Sequence, residues 1–218
     1  MTAITGTKAR LADRYAIDTL GIPSLTLMEN ASAEVAAYIE EHFADKRILI
    51  LSGTGNNGAD GICIANLLNA GGKITIPPTV IVTGNFEHAS WEFLYQLSEY
   101  KRNGGSAKFA HDTEIDFQGY DVLVDAVFGI GLQSDLREDK AKLLKAADKA
   151  GFAHVVAVDM PSGINSDTGS LMGAGIHASV TVTFGRMKTG LINGDGPAYA
   201  GEVIVKDIGI PEEAYLKV

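Results

Sequence analysis

"LSGTGNNGADGICIANLL", residues 51–68, joins two kinds of chain. It begins at the end of an apolar run, "RILIL" (47–51), and passes through Gly53, Gly55, Asn56, Asn57, Gly58, Asp60 and Gly61. It then continues as an apolar segment of helical length. A buried strand, a glycine-rich loop and a helix, in that order, start a β–α unit. The loop is either a tight connection or a place where backbone comes close to a ligand. It is neither G-x-G-x-x-G nor a P-loop, since no G-K-[ST] follows, so on its own it leaves both readings open.

The same order recurs along the chain. "TVIVTG" (79–84), "DVLVDAVFGIG" (121–131), "HVVAVDMPSGINSDTG" (154–169), "SVTVTFG" (179–185) and "EVIVKDIGIP" (202–211) each open as a strand. Helices are expected over "TGTKARLADRYAIDTLGIP", with Thr7 as N-cap and Gly21–Pro23 as the stop, and from "TLMENASAEVAAYIEEHF", with Thr26 and Glu29 in capping-box spacing. In the second, Leu27, Ala31, Val35 and Ile39 share one face. Further helices run to about Gly71, through "SWEFLYQLSEYKRNGG" and through "DLREDKAKLLKAADKAG". Strands alternating with helices imply right-handed crossovers and a mainly parallel sheet covered on both faces. The runs "ILIL", "VLV" and "VVAV" are apolar throughout, as doubly buried strands should be. With no repeat, low-complexity segment or linker, residues 1–218 read as one domain.

Composition narrows the function. The chain has 218 residues, 46% hydrophobic and 21% charged, with a net charge of −9. An acidic chain offers no general nucleic-acid or anionic-membrane face. A single cysteine, Cys63, precludes an internal disulfide and fits a reducing compartment. No signal-peptide run or membrane-length apolar stretch is visible, so a cytoplasmic location is expected. His42, His88, His111, His154 and His177 show no zinc-like spacing. Cys63 reads as a small core residue, and Trp91, Phe93 and Tyr95 as packing residues.

Three polar, glycine-rich loops follow apolar strands: "SGTGNNGADG", "DAVFGIGLQSD" and "DMPSGINSDTG". In an open parallel sheet the carboxyl ends of the strands share one edge, where ligands bind. Asn57, Asp60, Asp125, Gly129, Asp159 and Ser162 should therefore converge. The first two loops lead into helices, whose N-termini suit phosphate. Asp135 stands three before Glu138 and is equally read as a helix cap. Asp125 and Asp159 end apolar strands, where an unpaired carboxylate is costly; each needs a cation, a donor or a ligand.

"LMENAS", "GTGNNGADG", "DAVFGIG", "VDMPSGINSDTG", "VTFGRMKTGL" and "DIGIP" occur in an order that resembles the NAD(P)HX epimerases, the YjeF N-terminal domain family. The resemblance spans nearly the whole chain. It implies a Rossmann-like three-layer αβα fold and repair of nicotinamide cofactors hydrated at the ring, by interconversion of two C6 epimers. Its substrate segment falls on Asn56, Asn57, Gly58, Ala59 and Asp60. Its second loop falls on Gly129, Ile130, Gly131, Leu132, Gln133, Ser134 and Asp135, and its strand-end aspartate on Asp159. Its potassium ligands fall on Asn57, Asp125 and Ser162. Ala59 replaces a glycine of the pattern and would be strained if that position needs positive φ. Met187 and Thr189 stand where the pattern has prolines around Lys188, with no expected effect on the chemistry.

The substrate so implied is a carbinolamine: its hydroxyl-bearing carbon adjoins a ring nitrogen. Protonating the leaving hydroxyl, with help from the nitrogen lone pair, gives an iminium that water attacks from the other face; ring opening and reclosure is a second route. Asp159 is the expected proton-transfer group and Asp60 the second. The resemblance also implies hydrated NADH or NADPH as substrate, coupling to a separate dehydratase, and a homodimer through the N-terminal helices. Two alternatives remain. The dehydratase itself uses ATP or ADP, and a chain ending at Val218 leaves no room for that domain. A non-catalytic binding domain, as in mRNA-decapping scaffolds, is favoured by Ala59 alone.

Overall fold

The computed structural model describes residues 2–110 and 115–218. Seven strands form one sheet: β1 (Ile48–Ser52), β2 (Thr79–Val82), β3 (Ala107–Phe109), β4 (Val122–Ala126), β5 (His154–Val158), β6 (Val180–Phe184) and β7 (Glu202–Lys206). Their order is β3-β2-β1-β4-β5-β6-β7, and every adjacent pair is parallel. Leu51 lies opposite both Ile81 and Asp125, and Asp125 opposite Ala157. The strands thus end in step, and their following loops leave from one edge.

Helices cover both faces, as the unbroken apolar strands require. They are α1 (Gly6–Asp18), α2 (Ser24–Phe43), α3 (Asn56–Gly71), α4 (Trp91–Arg102), α5 (Glu138–Lys149) and three short ones, α6 (Thr189–Ile192), α7 (Gly196–Ala200) and α8 (Glu212–Leu216). Alternate residues of a strand point to opposite faces. Ile48 and Ile50 pack with Val35 and Ile39 of α2 and Ile62 and Leu68 of α3. Leu49 and Leu51 pack with Leu144 and Ala147 of α5 on the other side. Each such Ile, Leu or Val side chain contributes roughly 1.5–3 kcal/mol by leaving water. Cys63 is part of this interior, 3% exposed, and burial pushes its thiol up to about 12. Phe93 is buried, whereas Trp91 and Tyr95 are exposed and stack edge-to-face. No helix among the described residues is long and apolar enough to cross a membrane.

Several element ends differ from expectation. The N-cap of α1 is Thr5, whose hydroxyl accepts from the Lys8 N–H at 3.0 Å. Thr7 is occupied elsewhere: its N–H and hydroxyl donate to Asp167 at 3.0 and 2.7 Å. α2 starts at Ser24 behind Pro23, so the Thr26–Glu29 box does not cap it. α5 starts behind Arg137 without a side-chain cap, so Asp135 is not its cap. β3 is a short edge strand that the apolar pattern does not announce.

The N-terminal segment also pairs with the far end of the chain. Ile4 forms a parallel bridge to Lys188, its N–H donating to the Met187 carbonyl and its carbonyl accepting from the Thr189 N–H, each at 2.8 Å. A proline at 189 would lack that N–H. This clasp lays α1 across the carboxyl edge of β5 and β6.

Candidate active site

A cavity of about 1170 Å³ opens along the carboxyl edge. Asn56, Asn57 and Asp60 line it from the first loop and α3. Gly129, Ile130, Gly131, Leu132, Ser134 and Asp135 line it from the loop after β4, and Asp159 from the end of β5. Gln133 is exposed and donates to the Ile130 carbonyl at 3.3 Å. Gly58 and Ala59 are buried in the first turn of α3.

The first loop is built by close backbone contact. A Cβ on Gly58 would stand 2.0 Å from the Gly53 carbonyl oxygen, and one on Gly129 would stand 2.9 Å from Asn57 Oδ1. Ala59 is ordinary helix: its N–H donates to the Gly55 carbonyl at 2.9 Å, and the one non-glycine positive φ among the described residues is at Asp159. The strain considered for Ala59 is absent. The first turn of α3 has no acidic residue and no side-chain cap, leaving its N–H groups free for an anion. The α5 terminus instead carries Glu138 and Asp139, which disfavour a phosphate on its backbone N–H groups.

Asp125 is fully buried and finds its donors within the protein. The Ser162 hydroxyl donates to Oδ1 at 2.5 Å and the Ser162 N–H to Oδ2 at 2.8 Å. Ser162 Oγ in turn accepts from the Phe128 N–H at 2.9 Å. These bonds tie the loops after β4 and β5 together beneath the cavity. Burial outweighs them and pushes the Asp125 carboxyl up to about 6. Beside this knot the Asn57 amide nitrogen is buried without a partner.

Asp159 sits at φ 66°, a left-handed conformation costing about 1–2 kcal/mol for a side chain other than glycine. Its Oδ1 accepts from Lys188 Nζ at 2.5 Å, Thr183 Oγ1 at 3.0 Å and the Phe184 N–H at 3.3 Å. Lys188 is 2% exposed and also donates to Thr183 Oγ1 and the Phe184 carbonyl. Two more carboxyl groups share this end of the cavity. Asp13, on α1, is pushed up to about 6 by burial, opposed by Lys188 and reinforced by Asp159. Asp60 is held well above the usual carboxylate range by burial and then by Asp159, Asp13 and Glu92. One ammonium among three carboxyls is an arrangement that keeps protons on some of them at neutral pH. Among the described residues no group of three or more His, Cys, Asp or Glu side chains is placed to hold a metal ion, and His111 lies outside them.

A family model described as YjeF-related protein N-terminus matches residues 24–190. The chain belongs to this family. An NAD(P)H-hydrate epimerase of Limosilactobacillus fermentum is 42% identical over 206 residues, covering 94% of this chain and 96% of that protein. One of Weissella koreensis is 38% identical over 215 residues, covering 98% and 94%. The crystal structure of yeast ynu0 superposes with a TM-score of 0.83 at 19% identity, covering 100% of this chain and 93% of that one, which shows the shared Rossmann-like fold.

Within this YjeF-related site, sequence reading missed Lys188 and Asp13. Lys188 had a signal: it follows β6 in "VTFGRMKTGL", so it belongs to a fourth loop on the same edge. Asp13 had none. It stands in an ordinary amphipathic helix, which long-range contacts such as the Ile4–Lys188 bridge and the Thr7–Asp167 bonds hold against the cavity.

Proposed function

We infer that this chain is an isomerase, an NAD(P)H-hydrate epimerase acting on hydrated NADH and NADPH, with residues 1–218 forming one domain. The observation that carries the mechanism is the carboxyl cluster around Lys188 at one end of a dinucleotide-sized cavity. The α3 N-terminus receives the pyrophosphate. The hydrated ring lies toward Asp159, Asp60 and Asp13. A carboxyl group that holds its proton, with Asp60 the best placed by environment, donates to the leaving C6 hydroxyl. The ring nitrogen lone pair forms the iminium. Asp159, ion-paired with Lys188, takes a proton from the water that returns on the opposite face. Atoms balance: one water leaves and one water adds, with no net hydride or ATP chemistry. Ala59 no longer favours a non-catalytic domain, because its backbone is unstrained.

Potassium is part of this reading. Asn57, Asp125 and Ser162 offer amide, carboxylate and hydroxyl oxygens, hard ligands suited to such an ion. The orphaned Asn57 nitrogen supports the fit, since the amide turned over presents an oxygen there instead. The ion would supply positive charge for the dinucleotide phosphates in an acidic protein. A separate dehydratase consuming one epimer, and a cytoplasmic setting where reduced cofactors are used, follow from the substrate. A homodimer through the N-terminal helices is supported by Leu11 on α1, 45% exposed; light scattering decides it.

The test is to add the purified chain to a single epimer of hydrated NADPH, in potassium buffer and in a large organic cation. Equilibration faster than the spontaneous rate is expected, with the higher rate in potassium. No acceleration in either buffer sinks the epimerase reading; equal acceleration in both removes the ion.

A further inference from the structure

The cavity continues past the first loop to the end of β2, away from the carboxyl cluster. Thr83 follows β2 directly, its N–H donating to the Ser52 carbonyl at 2.7 Å, and the residue is 4% exposed. Gly84 packs against Thr54, where a Cβ would stand 2.7 Å from Thr54 Oγ1, so this wall is continuous with the first loop. Lys140 of α5 reaches across to it and donates to Thr83 Oγ1 at 2.8 Å. Both residues line the cavity.

Lys140 is half-buried, yet it makes no ion pair with a carboxylate among the described residues. A neutral hydroxyl satisfies one of its three donors. Burial pushes its ammonium below the usual lysine range, and the neighbouring exposed Asp139 opposes that only in part. A desolvated cation facing a cavity with donors to spare is a site for an anion.

Its place in the fold says which anion. β2, β1, β4 and β5 are consecutive in the sheet. Three steps of about 4.8 Å put the β2 end roughly 14 Å from the β5 end that carries Asp159. A dinucleotide with its ring at Asp159 and its pyrophosphate over the α3 N-terminus therefore brings its adenosine ribose to Thr83 and Lys140. Folds of this type that take the unphosphorylated cofactor commonly hold that ribose with an acidic residue near this strand end, and a cation there accommodates a 2′-phosphate. Here the strand is followed by Thr83, Gly84 and Asn85, with no acid. Glu87 donates its N–H to the Asn85 side chain and accepts from its amide, and it does not line the cavity.

Resting on the epimerase reading for the orientation of the dinucleotide, we propose that Lys140, steadied by Thr83, binds the 2′-phosphate on the adenosine ribose, so that the chain prefers hydrated NADPH to hydrated NADH. The stable probes are NADP+ and NAD+, titrated calorimetrically into the wild-type chain and into Lys140→Gln and Lys140→Arg. A charge-assisted contact of this kind is worth about tenfold or more in affinity. The wild-type chain should bind NADP+ tighter than NAD+ by about that factor; Lys140→Gln should bring the ratio near one, and Lys140→Arg should keep most of it. A wild-type ratio near one, or a ratio that survives Lys140→Gln, overturns the assignment. Should the ratio behave as expected while a pure epimer of hydrated NADPH stays unconverted by the wild-type chain, the epimerase reading fails and the 2′-phosphate subsite stands.

Discussion

Asp159 combines three costs that a merely structural residue would avoid. It occupies left-handed backbone, it ends a buried strand, and it holds a nearly inaccessible ammonium in place. Such costs concentrate where geometry serves chemistry. Asparagine tolerates the same backbone and keeps a carbonyl oxygen for Lys188 and Thr183, but it cannot exchange a proton. Asp159→Asn should therefore lower kcat by about 10²–10⁴ while KM changes little. A raised KM with kcat kept would instead make Asp159 an anchor for substrate. Asp60→Asn is the companion measurement. A severe kcat loss there, with Asp159→Asn near normal, would transfer the base role to Asp60. Asp125 and Asp159 were legible in the sequence because a carboxylate at the end of an apolar strand has to be explained. The long-range partner of Asp125 was not: Ser162 lies 37 positions away, and only folding shows that its N–H and hydroxyl both donate to the carboxylate.

At the scale of elements, periodicity located the long helices and six of the seven strands, because those segments bury a face and the pattern reports burial. It failed at boundaries set by distant partners. Thr7 looks like a cap until Asp167, 160 positions on, claims its side chain. β3 has no apolar run because it is a half-buried edge strand of three residues. The turn into α3 is the element on which the site depends most. Replacing glycine by alanine in a helix normally gains about 1 kcal/mol. At Gly58 the added methyl would meet the Gly53 carbonyl, backbone that cannot step aside. Gly58→Ala should cost about 1–3 kcal/mol and lower Tm by several degrees. At Gly131 an added methyl would meet nothing within 4 Å, and Gly131→Ala should leave Tm nearly unchanged. Equal melting temperatures for the two variants would show that the loop relaxes and that its tight packing is not required.

For the whole molecule, the clasp between Ile4 and Lys188 closes a carboxyl cluster into an already acidic protein, and stability must register this. The Asp13 carboxyl is raised from 3.8 to about 6 in the folded chain. Between those values the folded chain holds more protons than the unfolded one, so stability falls as pH rises through the window and is recovered as pH drops. Asp60 is shifted in the same direction. Asp167, lowered despite its burial by bonds from Thr7, acts oppositely, but its loss begins only below the ordinary carboxylate range. Acidification from about pH 7 to about pH 5 should therefore stabilise the chain, with Asp13 alone contributing about 1.4 kcal/mol, because about one pH unit of that interval lies below its folded value. Urea unfolding at the two pH values measures this. Asp13→Asn, which cannot titrate, should show a smaller pH difference than the wild-type chain. The same pH difference in both proteins would mean that Asp13 ionises freely in the folded state and lies outside the proton-sharing cluster around Lys188.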